Sequence, residues 1–210
     1  MELQLALDLV DIPGAKQVVA EVAEYIDIVE IGTPVVINEG LRAVKEVKEA
    51  FPSLRVLADL KIMDAGGYEV MKAAEAGADI ITVLGVSDDS TIKGAVEEAR
   101  KQGRKIMVDM INVKDIEGRA AEIDALGVDY ICVHSGYDHQ ADGKNSFEEL
   151  AAIKRVVKRA KTAIAGGIKL NTLPEVIKAN PDLVIVGGGI TSLEDKKAGA
   201  AEMKRLVSQA

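Results

Sequence analysis

The chain has 210 residues, 48% of them hydrophobic but only 3% aromatic, with no tryptophan and a formal net charge of −8. That length can bury one aliphatic core, and the acidic balance argues against a nucleic-acid surface, although a few local donors could still hold one phosphorylated metabolite. A single cysteine, Cys132, excludes an internal disulfide framework, and with no signal peptide and no apolar run near about 18 residues a soluble, cytoplasmic, non-membrane protein is expected.

Short apolar, β-rich runs recur along the chain at 3–9, 26–31, 55–60, 80–84, 105–110, 130–133, 162–165 and 183–186. They are spaced by roughly 25 residues, as βα units require. Between them lie charged, Ala-rich stretches with apolar residues at helical spacing, such as 40–50, 91–102 and 146–160. Several strands are preceded by a tag: Ala76-Gly77-Ala78-Asp79, Leu126-Gly127-Val128-Asp129 and, more loosely, Asn180-Pro181-Asp182. Its Gly suits a left-handed helix end and its Asp a turn into the next strand. The runs show little polar alternation, which implies burial on both faces and hence a parallel sheet covered by helices. The expected architecture is α/β: one (β/α)8 TIM barrel over residues 1–210, as a single domain. A doubly wound open sheet is the alternative, but no G-x-G-x-x-G follows the first strand.

In such a barrel the chemistry sits at the C-terminal strand ends. Those ends carry Asp8, Glu30, Asp59 with Lys61, Asp109 and His134, each a polar residue closing an aliphatic run. In an extended strand residues two apart point the same way, so Asp59 and Lys61 should project together. Glu30 and Asp59 end neighbouring strands, where two carboxylates repel unless a cation or proton lies between them. Few, hard oxygen ligands suit Mg²⁺, with Mn²⁺ as the substitute. The plainer alternative is a structural ion pair between Glu30 and Lys61.

Asp64 reads on spacing alone as the cap of the helix that follows it. His134 is either a general acid/base or a core histidine hydrogen-bonded to backbone. Cys132, inside the run Tyr130-Ile131-Cys132-Val133, reads as a buried, inert thiol. Gly166 and Gly167 follow the seventh strand, and Gly187, Gly188 and Gly189 follow the eighth. Glycines there let backbone N–H groups approach an anion, the recurrent phosphate grip of barrel enzymes. The polar connection 135–145 has the length of a lid, and His139 within it reads as a solvated loop residue.

Together these residues resemble the orotidine 5′-monophosphate decarboxylase suprafamily, whose mark is the D-x-K-x-x-D motif, here Asp59-Leu60-Lys61-Ile62-Met63-Asp64. The supporting runs are Leu5-Ala6-Leu7-Asp8, Val29-Glu30-Ile31-Gly32-Thr33-Pro34 and Val133-His134-Ser135-Gly136. Metal-independent members usually carry a lysine where this chain has Glu30, so the likeness favours the Mg²⁺-dependent branch. Two activities occur in that branch: aldol condensation of formaldehyde with D-ribulose 5-phosphate, and decarboxylation of 3-keto-L-gulonate 6-phosphate. The decarboxylating members typically have an arginine soon after the strand-six histidine and another in the strand-eight loop. Here those stretches read Gly136-Tyr137-Asp138 and Gly187-Gly188-Gly189, which follows the condensing pattern.

The resemblance implies that Lys61 stabilises an enediolate and that His134 is the base. Asp109, or Asp64 of the partner subunit in a homodimer with shared sites, would handle a second proton. Asp8 would accept sugar hydroxyls, and the glycine loops would hold the phosphate. A non-catalytic sugar-phosphate sensor is the remaining alternative, and the intact Asp59, Lys61 and Asp64 speak against it.

Overall fold

The structure, a computed structural model, describes residues 1–136, 138 and 146–209. Eight strands, all parallel, close in sequential order into a barrel. They are β1 (Glu2–Leu7), β2 (Ile28–Ile31), β3 (Arg55–Ile62), β4 (Ile80–Leu84), β5 (Lys105–Asp109), β6 (Tyr130–His134), β7 (Lys161–Ala165) and β8 (Leu183–Val186). Among the described residues, the α-helices between and after them are α1 (Ile12–Val22), α2 (Thr33–Glu39), α3 (Arg42–Ala50), α4 (Gly66–Glu75), α5 (Asp89–Gln102), α6 (Ile116–Leu126), α7 (Ser146–Val156), α8 (Leu173–Ala179), the short α9 (Gly188–Thr191) and α10 (Lys196–Ser208).

The expected (β/α)8 TIM barrel is therefore the observed fold, and two expected helices differ, one for a local reason and one for a contact between helices. The helical stretch read at 40–50 is in fact preceded by α2, which begins with Pro34 in its first turn and ends at Gly40. Gly40 has φ +64°, a left-handed conformation that stops one helix and redirects the chain into α3. The helix expected to reach residue 160 ends at Val156, because Asp124 on α6 takes the next amides. Its carboxylate accepts the N–H groups of Lys158, Arg159 and Ala160 at 3.0, 3.1 and 2.8 Å, holding them as a turn into β7.

The aspartates of the tags also do more than turn the chain. Asp79 Oδ2 accepts the Val56 N–H at 2.8 Å, Asp129 Oδ2 the Ile106 N–H at 2.9 Å, and Asp182 Oδ2 the Thr162 N–H at 2.7 Å. Asp27, ahead of β2, does the same for Leu3 at 2.7 Å. Each even-numbered strand is thus introduced by a carboxylate that satisfies a free amide at the start of the preceding odd strand.

Two apolar cores result. One lies between sheet and helices, where Leu3, Leu5, Ile31, Val56, Ile81 and Val108 meet the helix faces. The other fills the barrel, with Ile28, Leu57, Ile80, Met107, Tyr130, Cys132 and Leu183 among its members. Side chains alternate between these cores along each strand, so the polar residues Gln4, Glu30, Asp59, Thr82 and Asp109 share the inward parity and are buried above that filling.

Candidate active site

Asp59 is the hub of the site. Lys61 Nζ donates to its Oδ2 at 2.5 Å, and Thr82 Oγ1 donates to its Oδ1 at 2.7 Å. Thr33 Oγ1, on α2, lies 2.8 Å from Oδ2 and 2.9 Å from the Asp59 carbonyl oxygen. The same Lys61 ammonium stands 3.5 Å from Asp109 Oδ2, which in turn bonds His134 Nδ1 at 2.9 Å. Asp109 Oδ1 accepts the Ile111 N–H at 2.9 Å, so that carboxylate is held from both sides. A chain of contacts therefore runs β3–β5–β6, and among the described residues no hydrogen bond engages the other ring nitrogen of His134, Nε2.

The convergence of Asp59 and Lys61 comes about differently from the extended-strand argument. Ala58 pairs with Ile81 and Ile62 with Val83, so Asp59, Leu60 and Lys61 together oppose the single residue Thr82. The strand bulges there. Lys61 takes φ +48°, a left-handed conformation that costs an L-residue about 1 kcal/mol. Burial alone would lower the Lys61 pKa, but Asp59 and Asp109 outweigh it and hold the ammonium above the ordinary lysine value. Asp109 moves the other way: burial would raise it, but the His134 contact and Lys61 lower it, so it stays a carboxylate.

Glu30 pairs in register with Leu57, which places Asp59 one pleat nearer the mouth on the adjacent strand. Gln4 Nε2 donates to Glu30 Oε2 at 2.5 Å, and among the described residues no ion pair involves Glu30. The expected alternative, a Glu30–Lys61 pair, is thus not formed. Burial pushes the Glu30 pKa well up and the charge of Asp59 adds to it. A buried carboxylate beside a second one, with no ion pair of its own among the described residues and only the more distant charge of Lys61 to offset it, is a donor pair that a divalent ion would relieve. No third His, Cys, Asp or Glu completes a protein-only cage among the described residues. Two carboxylates fit Mg²⁺, which keeps several waters and takes substrate oxygens.

Asp8 follows β1 at the open mouth. Burial of its carboxylate and then the charge of Asp59 raise its pKa. Room for it is made by glycine: a Cβ on Gly32 would fall 2.1 Å from Asp8 Oδ1. The β7 and β8 loops are equally dependent on glycine. Gly166 and Gly167 have φ +102° and +66°, and a Cβ on Gly166 would fall 2.3 Å from the Ser135 carbonyl oxygen. A Cβ on Gly189 would fall 2.2 Å from the Ile168 carbonyl oxygen, so the two loops touch backbone to backbone. Gly188 and Gly189 open α9, where first-turn N–H groups lack intrahelical acceptors.

Asp64 stands apart from this cluster. It is exposed, and its Oδ1 accepts the Ala65 N–H at 2.7 Å. The cap position of α4 is Ala65, left-handed at φ +53°, so the plain reading of Asp64 as the helix cap is not what forms. Of the polar connection read over 135–145, residues 137 and 139–145, His139 among them, lie outside the described residues. Cys132 is buried inside the barrel as expected, and burial, followed by the charges of Asp109 and Glu30, pushes its thiol well up.

Gln4, Thr33 and Thr82 went unread in the sequence. Gln4 could have been found by parity, since it alternates with Ala6 and Asp8 on the face that enters the barrel. Thr82 gave no such signal, because threonine is an ordinary strand former.

A closed barrel with a lysine between carboxylates at its C-terminal mouth, and glycine loops after β7 and β8, has the form of a barrel enzyme. The chain belongs to the orotidine 5′-phosphate decarboxylase / HUMPS family, whose model matches residues 1–203. It is 78% identical to the 3-hexulose-6-phosphate synthase of Bacillus subtilis strain 168 over 100% of both chains. Among solved structures, it is similar to the 3-hexulose-6-phosphate synthase from Salmonella typhimurium, with a TM-score of 0.97 and 40% identity over 100% of this chain and 99% of that one. The 3-keto-L-gulonate-6-phosphate decarboxylase from Vibrio cholerae shares the fold, with a TM-score of 0.86 at 24% identity over 99% and 97% of the two chains.

Proposed function

We propose that this chain is an aldehyde-lyase that condenses formaldehyde with D-ribulose 5-phosphate, giving D-arabino-3-hexulose 6-phosphate and so fixing formaldehyde. The full-length 78% identity to a 3-hexulose-6-phosphate synthase carries the reading. The reaction removes a proton beside a ketone and lets the resulting enediolate attack formaldehyde. His134 has its Nδ1 engaged by Asp109, which orients the ring and leaves Nε2 to take the C1 proton. Lys61 presents a permanently charged donor to the oxygen on which negative charge develops. Asp8 receives sugar hydroxyls at the mouth. The loops at Gly166, Gly167, Gly187, Gly188 and Gly189 anchor the phosphate, so that C1 is held against the base. Glu30 and Asp59 would hold Mg²⁺, which supplies Lewis-acid stabilisation to adjacent substrate oxygens.

A homodimer goes with this reading. The exposed large hydrophobics Leu9, Ile37, Met63, Tyr68 and Val86 all lie in segments following β1 to β4, so one side of the mouth is apolar. Asp64 lies between two of them in sequence, and in the proposed dimer it enters the site of the second copy. Tyr68→Asp should give monomers by light scattering with loss of turnover; a fully active monomer would refute the shared site.

The functional reading is tested by incubating the protein with ribulose 5-phosphate and formaldehyde, with Mg²⁺ or with excess chelator. Formaldehyde consumption that requires the metal is expected. Release of CO₂ from 3-keto-L-gulonate 6-phosphate without formaldehyde uptake would reassign the chain to the decarboxylating activity.

A further inference from the structure

The motif residues Asp59 and Lys61 owe their placement to a bulge, and the bulge has one partner. Asp59, Leu60 and Lys61 lie opposite Thr82 alone, the central residue of β4. Thr82 is 3% exposed, and its hydroxyl is used twice. It donates to Asp59 Oδ1 at 2.7 Å and accepts the Lys61 N–H at 2.9 Å. One oxygen atom therefore ties the first residue of the bulge, through its side chain, to the last, through its backbone.

We propose that Thr82 is a positioning residue for the reaction, its hydroxyl locking the Asp59–Lys61 bulge in the shape that aims both charges into the mouth of the barrel. The geometry explains why a hydroxyl stands there. Val56 bonds towards β4 through both its N–H and its carbonyl, so in an unbroken strand Lys61, five residues on, would turn its N–H to the β2 side; the bulge turns it to β4 instead, with Lys61 left-handed at φ +48° and the Thr82 hydroxyl as its acceptor. Left unpaired, that N–H would favour relaxation of Lys61 to an ordinary conformation, which would swing its ammonium away from Asp59 and Asp109. A hydroxyl is suited to the task because it donates and accepts at once, while a carboxylate only accepts and an ammonium only donates. Valine has nearly the same shape and neither function.

The kinetic arm of the test rests on the proposed formaldehyde condensation, and a structural arm is independent of it. In Thr82→Val, kcat should fall on the order of 10- to 100-fold with KM for ribulose 5-phosphate within about threefold of the native value, as for a group acting on the reacting geometry rather than on binding. Thr82→Ser restores the hydroxyl and should recover kcat to within about threefold of native. By NMR hydrogen exchange, the Lys61 amide should exchange at least ~10-fold faster in Thr82→Val and near the native rate in Thr82→Ser. Native turnover in the valine variant, a serine variant as slow as valine, or unchanged Lys61 exchange would each overturn the role of Thr82. If the native chain shows no formaldehyde condensation at all, the functional reading fails, and the exchange rates still decide whether the hydroxyl holds the bulge.

Discussion

The carboxylates at the two ends of this barrel are in opposite situations. At the N-terminal end Asp79 is saturated: it accepts the Val56 N–H, Lys48 Nζ at 2.8 Å and Arg104 Nη1 at 3.1 Å. Asp27 likewise combines the Leu3 N–H with Lys204 at 2.6 Å, and Glu2 is shared between Arg55 and Lys161. At the C-terminal end Asp8, Glu30, Asp59 and Asp109 crowd around one lysine, and the pKa values of Asp8 and Glu30 rise because burial and like charge oppose ionisation. Charge is spent on holding strands at one end and left under tension at the other. Tension at the mouth is what a site for a cation and an anionic intermediate requires, and a fold tolerates it only where function keeps it.

Substitutions at the two ends should therefore have opposite signatures. The largest effect is expected from Asp59→Asn at the mouth, which should lower kcat by at least ~10²-fold, the scale for removing one charge-stabilising group. Turnover within a few-fold of native would remove Asp59 from the chemistry. Next, Asp79→Ala at the opposite end strands one backbone amide and two cations. It should cost about 2 kcal/mol, or roughly 5 °C in Tm for a chain of this size, with kcat untouched. Equal losses of activity and stability would show that the two ends are not separable.

The smallest effect is the most diagnostic. Because folding raises the Glu30 pKa above the ordinary carboxylate value, stability is full below the ordinary value and is lost as pH rises from there to the raised value. Glu30→Gln keeps the contact with Gln4 and removes the charge. In chelator at pH 8 its Tm should exceed the native one by a few degrees, with the gap closing towards pH 5. Mg²⁺ should raise the native Tm and leave that of the variant unchanged. A lower Tm for the variant at pH 8 would mean that the carboxylate is stabilised by something other than a missing cation.

Much of the fold was legible along the chain. Unalternated aliphatic runs at a steady spacing define parallel strands buried on both faces, and β4 and β8 fall where the runs at 80–84 and 183–186 predict. Asp8, Glu30, Asp59, Lys61, Asp109 and His134 could be collected because each closes such a run. What could not be read were contacts made by ordinary residues. The break at Gly40 is a backbone turn that a glycine permits but does not announce, whereas the early end of α7 and the use of Thr82 depend on a group elsewhere in the barrel taking part in a hydrogen bond.

The amino-acid order by itself determined the strand and helix alternation, the barrel and the identity of the residues at its mouth, because periodicity and burial are properties of local stretches. Only the closed structure decided that Lys61 pairs with Asp59 and Asp109 rather than Glu30, and that Asp64 faces outward. Those outcomes depend on strand register and on a bulge, and register is set by how neighbouring strands pack together.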